Sequence, residues 1–416
     1  MESYLVECLD SVFSQTLKDI EVICVNDGST DHSSDILKDY SDRHDNLIVI
    51  EQENAGVSAA RNNAIDIAKG EFIAFMDPDD YYPEMDILES IYMNAVRNEV
   101  LICGGSLSSF RGEATTQIIA EYYGRWKNYT FSGNHKVCYE DYQYCFGFQR
   151  FIYQADFLRE NGIKFPYYAR FQDPPFFVQA MVNAGEFYAM EKITYCYRAS
   201  HKNFISSFAP TLDYTMGIID LLTISRAKRL SKLHTIAVEI MHDDLSAAVY
   251  KYVADGYEKF IELVRKINDI IDIHLIEPQS RISNTPYLKE PNTIIEFVME
   301  SPQREAQLHR VLREYSKVII FGAGKVGVIL FEYLQNQGYN EIYCFAVTDN
   351  SNNPLAICGI PVKEINSLLE YRSDALILIA TFANHHRDII NMLDELQFQN
   401  VLPIFYNELQ LYKSRS

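Results

Sequence analysis

The chain lacks the features that mark several large classes of protein. It has 37 Lys and Arg against 57 Asp and Glu, a formal net charge of −20, which argues against DNA or RNA binding because a phosphate backbone needs basic surface. No run approaches the roughly 18 consecutive apolar residues of a membrane-spanning helix. The first residues show no basic stretch followed by an apolar one, so no signal peptide is predicted.

Cysteine and tryptophan are sparse as well. The eight cysteines form no C-x-x-C pair, so they are predicted to be reduced, buried thiols of a cytoplasmic protein and not disulfides or zinc ligands. Trp126 is the single tryptophan, against 29 Tyr and 24 Phe. A chain of 416 residues has room for two or three domains with sizeable cores.

Hydrophobic periodicity divides the chain into three parts. Residues 1–205 begin with predicted strands at 20–25, 47–51 and 71–76 and helices at 31–43 and 57–69, and continue as a mixed, aromatic-rich segment. Residues 206–305 have helical patterns, as in 215–230 and 246–271, with a polar break near 278–292. Residues 306–416 alternate strands and helices again. The predicted class is α/β, with ligands at the carboxyl ends of mostly parallel strands.

Three carboxylates lie where the third predicted strand ends, at Asp77, Asp79 and Asp80. Like charges at this density repel one another, and a divalent cation with oxygen ligands would relieve the repulsion. A solvated turn around Pro78 is the alternative, and the stretch alone does not decide between them.

Arg61 lies on the apolar face of the predicted helix 57–69, one turn from Val57 and from Ile65. A guanidinium facing a core needs an anionic or carbonyl partner. The donor nucleotide of a transferase is one candidate, and a salt bridge to an acidic residue at a strand end is the other.

Four motifs follow one another at domain-like spacing, and together residues 4–205 resemble family 2 glycosyltransferases of the GT-A fold, the type that builds bacterial capsular and extracellular polysaccharides. The motifs are Val25-Asn26-Asp27-Gly28-Ser29-Thr30-Asp31, Asn54-Ala55-Gly56-Val57-Ser58-Ala59-Ala60-Arg61-Asn62, Phe75-Met76-Asp77-Pro78-Asp79-Asp80 and Phe171-Gln172-Asp173-Pro174-Pro175-Phe176. The resemblance implies inverting transfer of a sugar from a nucleotide diphosphate, usually UDP, to a hydroxyl.

The resemblance also assigns roles in the donor site. It places Asp27 on the uracil imide, where an ordinary turn is the alternative, and it gives Arg61 to the nucleotide. Asp77 would contact the ribose or a metal-bound water, and Asp79 would hold Mn²⁺ or Mg²⁺. Asp80 would support this shell from behind.

Asp173 is the candidate general base, because a sugar hydroxyl attacks only as its proton is removed. The alternative is a helix N-cap before Pro174 and Pro175, where a helix N-terminus would also weaken the base unless burial offsets it. The family has Glu-Asp where this chain has Gln172-Asp173, which puts in doubt how the acceptor is held. Arg198, His201 and Lys202 could contact donor phosphates or form a solvated loop.

One family feature has no counterpart in the sequence. The family begins with an apolar strand, and Met1-Glu2-Ser3 leaves no room for it before the predicted first helix. Two explanations are open: the natural protein is longer, or the chain is an inactive relative that serves as a nucleotide-sugar binding or scaffold protein.

The C-terminal part carries Gly322, Gly324 and Gly327 between a predicted strand at 317–321 and a helix, with Asp349 after the next strand. This Gly-x-Gly-x-x-Gly context is typical of nucleotide-binding turns. The part resembles the small Rossmann-like domain of some sugar acyltransferases. Three interpretations are open for this part of the chain. It binds a nucleotide sugar, it is a packing module whose glycines serve only the tight turn, or it is an NAD-dependent oxidoreductase.

The leading hypothesis is a metal-dependent glycosyltransferase acting on a glycan or lipid-linked acceptor from a UDP-sugar donor. It places the protein in the cytoplasm, at the inner face of the membrane if its acceptor is lipid-linked, with peripheral association there. The oligomeric state, the sugar and the linkage are not specified by the sequence.

Overall fold

A computed structural model describes residues 1–110, 129–198, 207–245, 248, 251–253, 255–280, 282, 293–351 and 353–415. The chain forms two compact units, Met1–Ile224 and Ser225–Ser416. The three-part division at 205 and 305 stays a prediction, because compactness alone does not define domains. In the described residues, no helix is both long and apolar enough to cross a membrane.

The first unit begins with helices and strands in alternation, as the periodicity predicts. Its helices are α1 (Glu2–Phe13), α2 (Ser33–Ser41), α3 (Val57–Ile67), α4 (Ile87–Arg97), α5 (Tyr139–Tyr142), α6 (Ala155–Glu160), α7 (Asp173–Ala184) and α8 (Phe208–Lys228), which runs into the second unit. Its strands are β1 (Val22–Asp27), β2 (Leu47–Gln52), β3 (Phe72–Ala74), β4 (Ile102–Phe110), β5 (His135–Cys138), β6 (Phe151–Gln154) and β7 (Glu186–Arg198).

These strands form two sheets and not one. Strands β1 and β2 pair in parallel as a two-stranded sheet, and the other five form a mixed sheet in the order β3-β6-β4-β7-β5. Among the described residues, β1 and β3 therefore each lie at the edge of a sheet. The two strands belong to different sheets, although only α2, β2 and α3 separate them in sequence.

Helix α1 connects the two sheets. Leu5 and Leu9 pack into a cluster with residues of α2 and β2, while Val12 packs against the core of the mixed sheet. The Gln15 side chain donates to the carbonyl of Glu84 and accepts from the Leu88 N–H. The helix therefore packs against elements of both sheets, and Gln15, which follows it, bonds to the segment that leads from the acidic cluster into α4.

The predicted strand at 71–76 is shorter in the structure because Phe75 leaves the ladder. Its ring lies 5.3 Å from Phe165, 5.4 Å from Phe176 and 5.6 Å from Phe148, measured between centroids. This aromatic cluster lies beneath the first residues of the acidic motif. The chain can therefore turn out of the sheet at Met76 without exposing apolar surface.

The second unit begins with helices and ends with a six-stranded sheet. Its helices are α9 (Ser231–Ile240), α10 (Glu258–Ile270), α11 (Thr293–Met299), α12 (Ser301–Leu312), α13 (Lys325–Asn336), α14 (Ala383–Glu395) and α15 (Tyr406–Arg415). Its strands are β8 (Lys317–Phe321), β9 (Ile342–Val347), β10 (Ala356–Ile357), β11 (Ile360–Glu364), β12 (Ala375–Ile379) and β13 (Val401–Pro403).

The sheet order of the second unit is β10-β11-β9-β8-β12-β13, parallel except for the β10–β11 hairpin. The sequence predicts β8, β9, β12 and β13 but misses the β10–β11 hairpin, whose strands have two and five residues. The prediction of one helix over 246–271 is wrong at Gly256, whose φ of 75° ends the helical path before α10.

Candidate active site

The carboxyl ends of β1 and β3 bring two of the sequence motifs to one side of α3. Asp27, the last residue of β1, accepts hydrogen bonds from the backbone N–H of Ala55 (2.7 Å) and Gly56 (2.8 Å) and from the Gln52 amide (2.7 Å). Although partial burial opposes it, these three donors hold the pKa of Asp27 below its usual range. The carboxylate therefore fixes the loop that leads into α3.

Arg61 lies at the centre of the site. From α3 its guanidinium donates to Asp77 Oδ1 at 2.5 Å and to Asp173 Oδ1 at 2.6 Å, and it lies over the rings of Phe148 and Phe165 at 4.9 and 5.0 Å. The side chain is only 13% exposed. The ion-pair alternative raised by the sequence is thus what the structure contains, and a contact with a nucleotide stays a prediction.

Asp173 is the first residue of α7, and its carboxylate turns to Arg61 instead of capping the helix. Although 31% of its side chain is accessible, it lies deep among protein atoms, and this burial raises its pKa, aided by Asp77 and opposed by Arg61. Burial thus offsets the weakening that a helix N-terminus would impose on a base.

Gln149 is a member of the site that sequence reasoning missed. Its side-chain amide donates to Asp77 Oδ2 at 3.0 Å, so Asp77 is held from one side by Arg61 and from the other by Gln149. The residue belongs to a short 3-10 helix at 148–150 before β6. No motif marks it, and only the antiparallel pairing of β3 with β6 brings it near the acidic cluster.

Asp80 lies beneath the cluster, with 1% exposure. It accepts the Tyr195 hydroxyl at 2.6 Å and the Arg198 N–H at 2.7 Å, and the Tyr195 oxygen in turn accepts the Asp77 N–H at 3.1 Å. Burial, together with the nearby Asp77, raises the pKa of Asp80 to about 8. Its location is that of a support for the turn at 77–80.

Arg198 is buried, 6% exposed, and does not belong to a solvated loop. Its Nε donates to the Asp79 carbonyl at 2.8 Å, and its Nη2 to Glu7 of α1. The guanidinium is stacked between Tyr4 and Phe110, 4.4 Å from each ring centroid. It thus fastens α1 to the acidic turn. His201 and Lys202, predicted beside it, lie outside the described residues, as does Trp126.

A metal site built from protein side chains alone is not present: among the described residues, no three His, Cys, Asp or Glu groups converge to hold an ion. Asp77 and Asp80 are engaged by Arg61, Gln149, Tyr195 and Arg198, as above. Asp79 is half-buried and lies between them in sequence. A Mg²⁺ or Mn²⁺ ion at Asp79 would need its other ligands from a diphosphate and water, and the metal role of Asp79 stays a prediction.

The glycine turn of the second unit has two glycines that the fold itself requires. A Cβ on Gly322, which has φ of 123°, would lie 2.5 Å from the Ala380 carbonyl oxygen, and one on Gly327 would lie 2.0 Å from the Gly322 oxygen. At Gly324 a Cβ would meet nothing within 4 Å. Asp349 is exposed and bonds to Ser351. Nucleotide binding here stays a prediction.

Residues 2–157 match the model of the family described as "Glycosyl transferase family 2". The chain is 44% identical to "Glycosyltransferase GlyA" of Streptococcus pneumoniae over 110 residues, 26% of this chain and 16% of that protein. It is 31% identical to "Poly(ribitol-phosphate) beta-glucosyltransferase" of Bacillus spizizenii over 244 residues, 56% of this chain and 37% of that protein. The matched part thus spans less than two-fifths of either relative.

Solved structures share the fold of most of the chain. The crystal structure of S. aureus TarS 1–349 in complex with UDP-GlcNAc superimposes with a TM-score of 0.56 at 18% identity, covering 73% of this chain and 89% of that one. The N-terminal three-quarters therefore has a GT-A-like α/β fold, and a second α/β sheet follows it. Residues 2–157 of this chain are thus similar to glycosyl transferases of family 2.

Proposed function

We propose that this chain transfers a sugar from a UDP-linked donor to a hydroxyl of a glycan polymer, a polyol phosphate or a lipid-linked glycan, with inversion at the anomeric carbon. The family match supports glycosyl transfer. The relative from B. spizizenii and the TarS structure, by their names, involve a poly(ribitol phosphate) and UDP-GlcNAc, and they support this choice of donor and acceptor class.

The observation that carries the proposal is the bridge from Asp77 through Arg61 to Asp173. It joins the acidic turn to the candidate base although Arg61 and Asp173 are 112 residues apart in sequence. A transferase needs its donor diphosphate and its base on opposite sides of one reacting carbon. The bridge holds Asp77, in the turn where the diphosphate would bind, and Asp173, the candidate base, at the two terminal nitrogens of the Arg61 guanidinium.

Asp27, Arg61 and Asp77 would form the nucleotide side of the site. Asp27 already holds the loop at 55–56 by two backbone hydrogen bonds, so it would shape the base pocket as well as accept the uracil imide. A Mn²⁺ or Mg²⁺ ion held by Asp79 would, when bound, draw negative charge from the departing diphosphate. Asp80 and Arg198 would keep that turn in place from beneath.

Asp173 would accept the proton of the attacking hydroxyl. Its raised pKa makes it a stronger base than an exposed aspartate, while the Arg61 bond keeps it ionised and oriented. The proton leaves the hydroxyl oxygen as that oxygen bonds to the anomeric carbon. The leaving diphosphate carries away the electron pair of the broken bond.

Asp173→Asn tests the proposal, because the amide keeps the shape of the side chain and removes its basicity. We expect UDP binding within about twofold of the parent and a loss of transfer of at least about a hundredfold, the usual contribution of a general base. Calorimetry measures UDP binding, and release of UDP from UDP-sugars with Mn²⁺ measures turnover.

Asp156→Asn is the matched control. Asp156 is exposed and pairs with Arg159 on the surface, so its variant should turn over like the parent. Turnover by Asp173→Asn equal to that of the control would remove Asp173 as the base. UDP binding without turnover in the parent chain, with every donor tried, would instead favour the nucleotide-sugar binding or scaffold alternative.

A further inference from the structure

Asp27 and Gln52 end two neighbouring strands at the same level of the small N-terminal sheet. Asp27 is the last residue of β1 and Gln52 the last of β2, and the parallel ladder pairs one with the other. Paired residues of adjacent strands point to the same face of a sheet. The two side chains therefore meet, and the Gln52 amide nitrogen donates to Asp27 Oδ1 at 2.7 Å.

The orientation of the Gln52 amide is fixed at both of its ends. An ionised carboxylate only accepts hydrogen bonds, so the amide nitrogen must face Asp27. The amide oxygen then faces α3, where the Asn63 side chain donates to Gln52 Oε1 at 2.6 Å. Asn63 is exposed, so this contact lies at the surface and orients the amide without being part of the core.

The carboxylate of Asp27 has nearly all of its acceptor positions occupied. The two oxygens of a carboxylate provide about four positions in total. Oδ1 accepts from Gln52 and from the Ala55 N–H, each at 2.7 Å, and Oδ2 accepts from the Gly56 N–H at 2.8 Å. Oδ1 is therefore saturated, and one position is left, on Oδ2.

This remaining position is accessible to a ligand. Asp27 is half-buried, while Gly28, which follows it, and Ala55, which donates to it, are exposed. A ligand can therefore approach the carboxylate from solvent but can give it only one hydrogen bond. Nucleobases differ in how many N–H groups they present side by side, and a single free position distinguishes them by this number.

We infer that Gln52, held by Asn63, restricts the nucleobase of the donor to one that presents a single N–H, as uracil does. The imide of uracil has one N–H between two carbonyls, whereas guanine presents two adjacent N–H groups that pair with both oxygens of a free carboxylate. With Oδ1 saturated, the second N–H of guanine would lose its water without gaining an acceptor. The inference rests on the proposed function and adds a positioning residue that selects the donor through Asp27.

Gln52→Met tests this role, because Met has nearly the volume of Gln and cannot donate to Asp27. The variant frees one position on Oδ1 for the second N–H of guanine. We expect the parent to bind UDP at least about tenfold more tightly than GDP, and this ratio to fall about fivefold to tenfold in the variant. A merely structural role would weaken both nucleotides together and leave the ratio unchanged.

Asn63→Asp alters the same hydrogen bonds from the surface. The new carboxylate can only accept, so it turns the Gln52 amide, which then no longer donates to Asp27. We expect the preference for UDP over GDP to fall as in Gln52→Met. Asn340→Asp is the matched control, because Asn340 is exposed and lies in the second unit. It adds the same charge and should bind both nucleotides like the parent.

Calorimetry at a constant Mn²⁺ concentration measures the binding of UDP, of GDP and of the UDP analogue that is methylated at N3 of uracil. The analogue lacks the imide N–H and should bind the parent at least about tenfold more weakly than UDP. Release of UDP from UDP-sugars measures turnover in the same proteins.

A parent that binds GDP or the methylated analogue as tightly as UDP would overturn the inference, as would an unchanged UDP-to-GDP ratio in both variants. Turnover of UDP-sugars would then leave the transferase function standing. No UDP binding and no turnover by the parent with any donor would overturn both. Thermal unfolding within a few degrees of the parent shows that each variant is folded, and Asn63→Asp provides the result if Gln52→Met does not fold.

Discussion

At the scale of single residues, the site is organised by one cation between two carboxylates. Arg61 satisfies Asp77 and Asp173 together, and neither carboxylate could approach the other so closely without it. Removing one partner of such a partly buried group leaves uncompensated charge, which costs more than the pair contributes when intact. Arg61 therefore supports the fold as well as the site.

Arg61→Met should lower the free energy of unfolding by about 2–4 kcal/mol, since it leaves two half-buried carboxylates facing each other. Urea denaturation followed by circular dichroism measures the change. Arg43→Met is the matched control, because Arg43 pairs with Asp39 at the surface, where 51% and 69% of the side chains are exposed, and should cost less than about 1 kcal/mol. Equal losses in the two variants would show that Arg61 is not a buried counter-ion.

His234, in the second unit, is a buried neutral histidine. The Asp272 N–H donates to its Nε2 at 3.0 Å, so its Nδ1 carries the proton and faces Ser225 Oγ at 2.8 Å. Burial lowers its pKa to about 4. Protonation of Nε2 would break the bond to Asp272, so the folded state binds this proton less readily than the unfolded state does.

The folded-state pKa of His234 lies below the unfolded value, so its contribution to stability is present above about pH 6.5 and is lost as the pH falls towards 4. Between pH 7 and pH 5 the parent should lose about 2 kcal/mol more than His234→Gln. Exposed His274→Gln should follow the parent. Parallel curves for the parent and His234→Gln, by denaturant titration at each pH, would contradict the assignment.

At the scale of elements, the position of α7 depends on α8. Gly217 of α8 lets the helix approach the strained Phe171, and a Cβ there would lie 2.6 Å from the Phe171 ring and 2.8 Å from its carbonyl oxygen. These atoms immediately precede Gln172 and Asp173. A change on α8 is therefore transmitted to the base, although α8 contributes no charged group to it.

Gly217→Ala should destabilise the chain by about 1–3 kcal/mol through overpacking and lower kcat by about tenfold or more by moving Asp173. Denaturation and UDP release measure the two effects. Gly133→Ala is the control, because a Cβ at Gly133 meets only the His135 ring, at 3.9 Å, and should change neither. A stable, fully active Gly217→Ala would show that the loop at 171 relaxes freely.

The elements were largely predictable from the sequence, and the contacts between them only in part. Alternating periodicity locates β1, β2, α3, β8 and α13, since each buries a face with its own spacing. The position of Arg61 on an apolar helix face predicts that it needs an acidic partner, but it does not predict which residue that partner is. Gln149 and Arg198 reach the acidic turn only through strand pairing and helix docking, which no local pattern encodes.

At the scale of the whole molecule, the net charge affects how an acceptor approaches the protein. The net charge of −20 repels an anionic polymer over roughly a Debye length, which shrinks from ~30 Å at 0.01 M salt to ~8 Å at 0.15 M. If a polyol phosphate is the acceptor, its approach is opposed at low salt. The net charge does not oppose the approach of a neutral pyranoside.

We therefore expect KM for a ribitol phosphate oligomer to fall several-fold as salt is raised from about 10 to about 150 mM, because screening weakens the repulsion. KM for an alkyl pyranoside should stay constant. Steady-state assays of UDP release over this range measure both. A KM for the oligomer that rises with salt would indicate a local basic surface that guides the polymer against the overall charge.

The division of the N-terminal strands into two sheets has a consequence for motion. In the described residues β1 is hydrogen-bonded on one side only, so half of its amides have no ladder to protect them, whereas β8 is paired on both sides. Deuterium should enter Val22–Asp27 well before it enters Lys317–Phe321. Strand β1, at whose end the donor would bind, is thus less protected than β8, and donor binding there should slow the exchange of its amides.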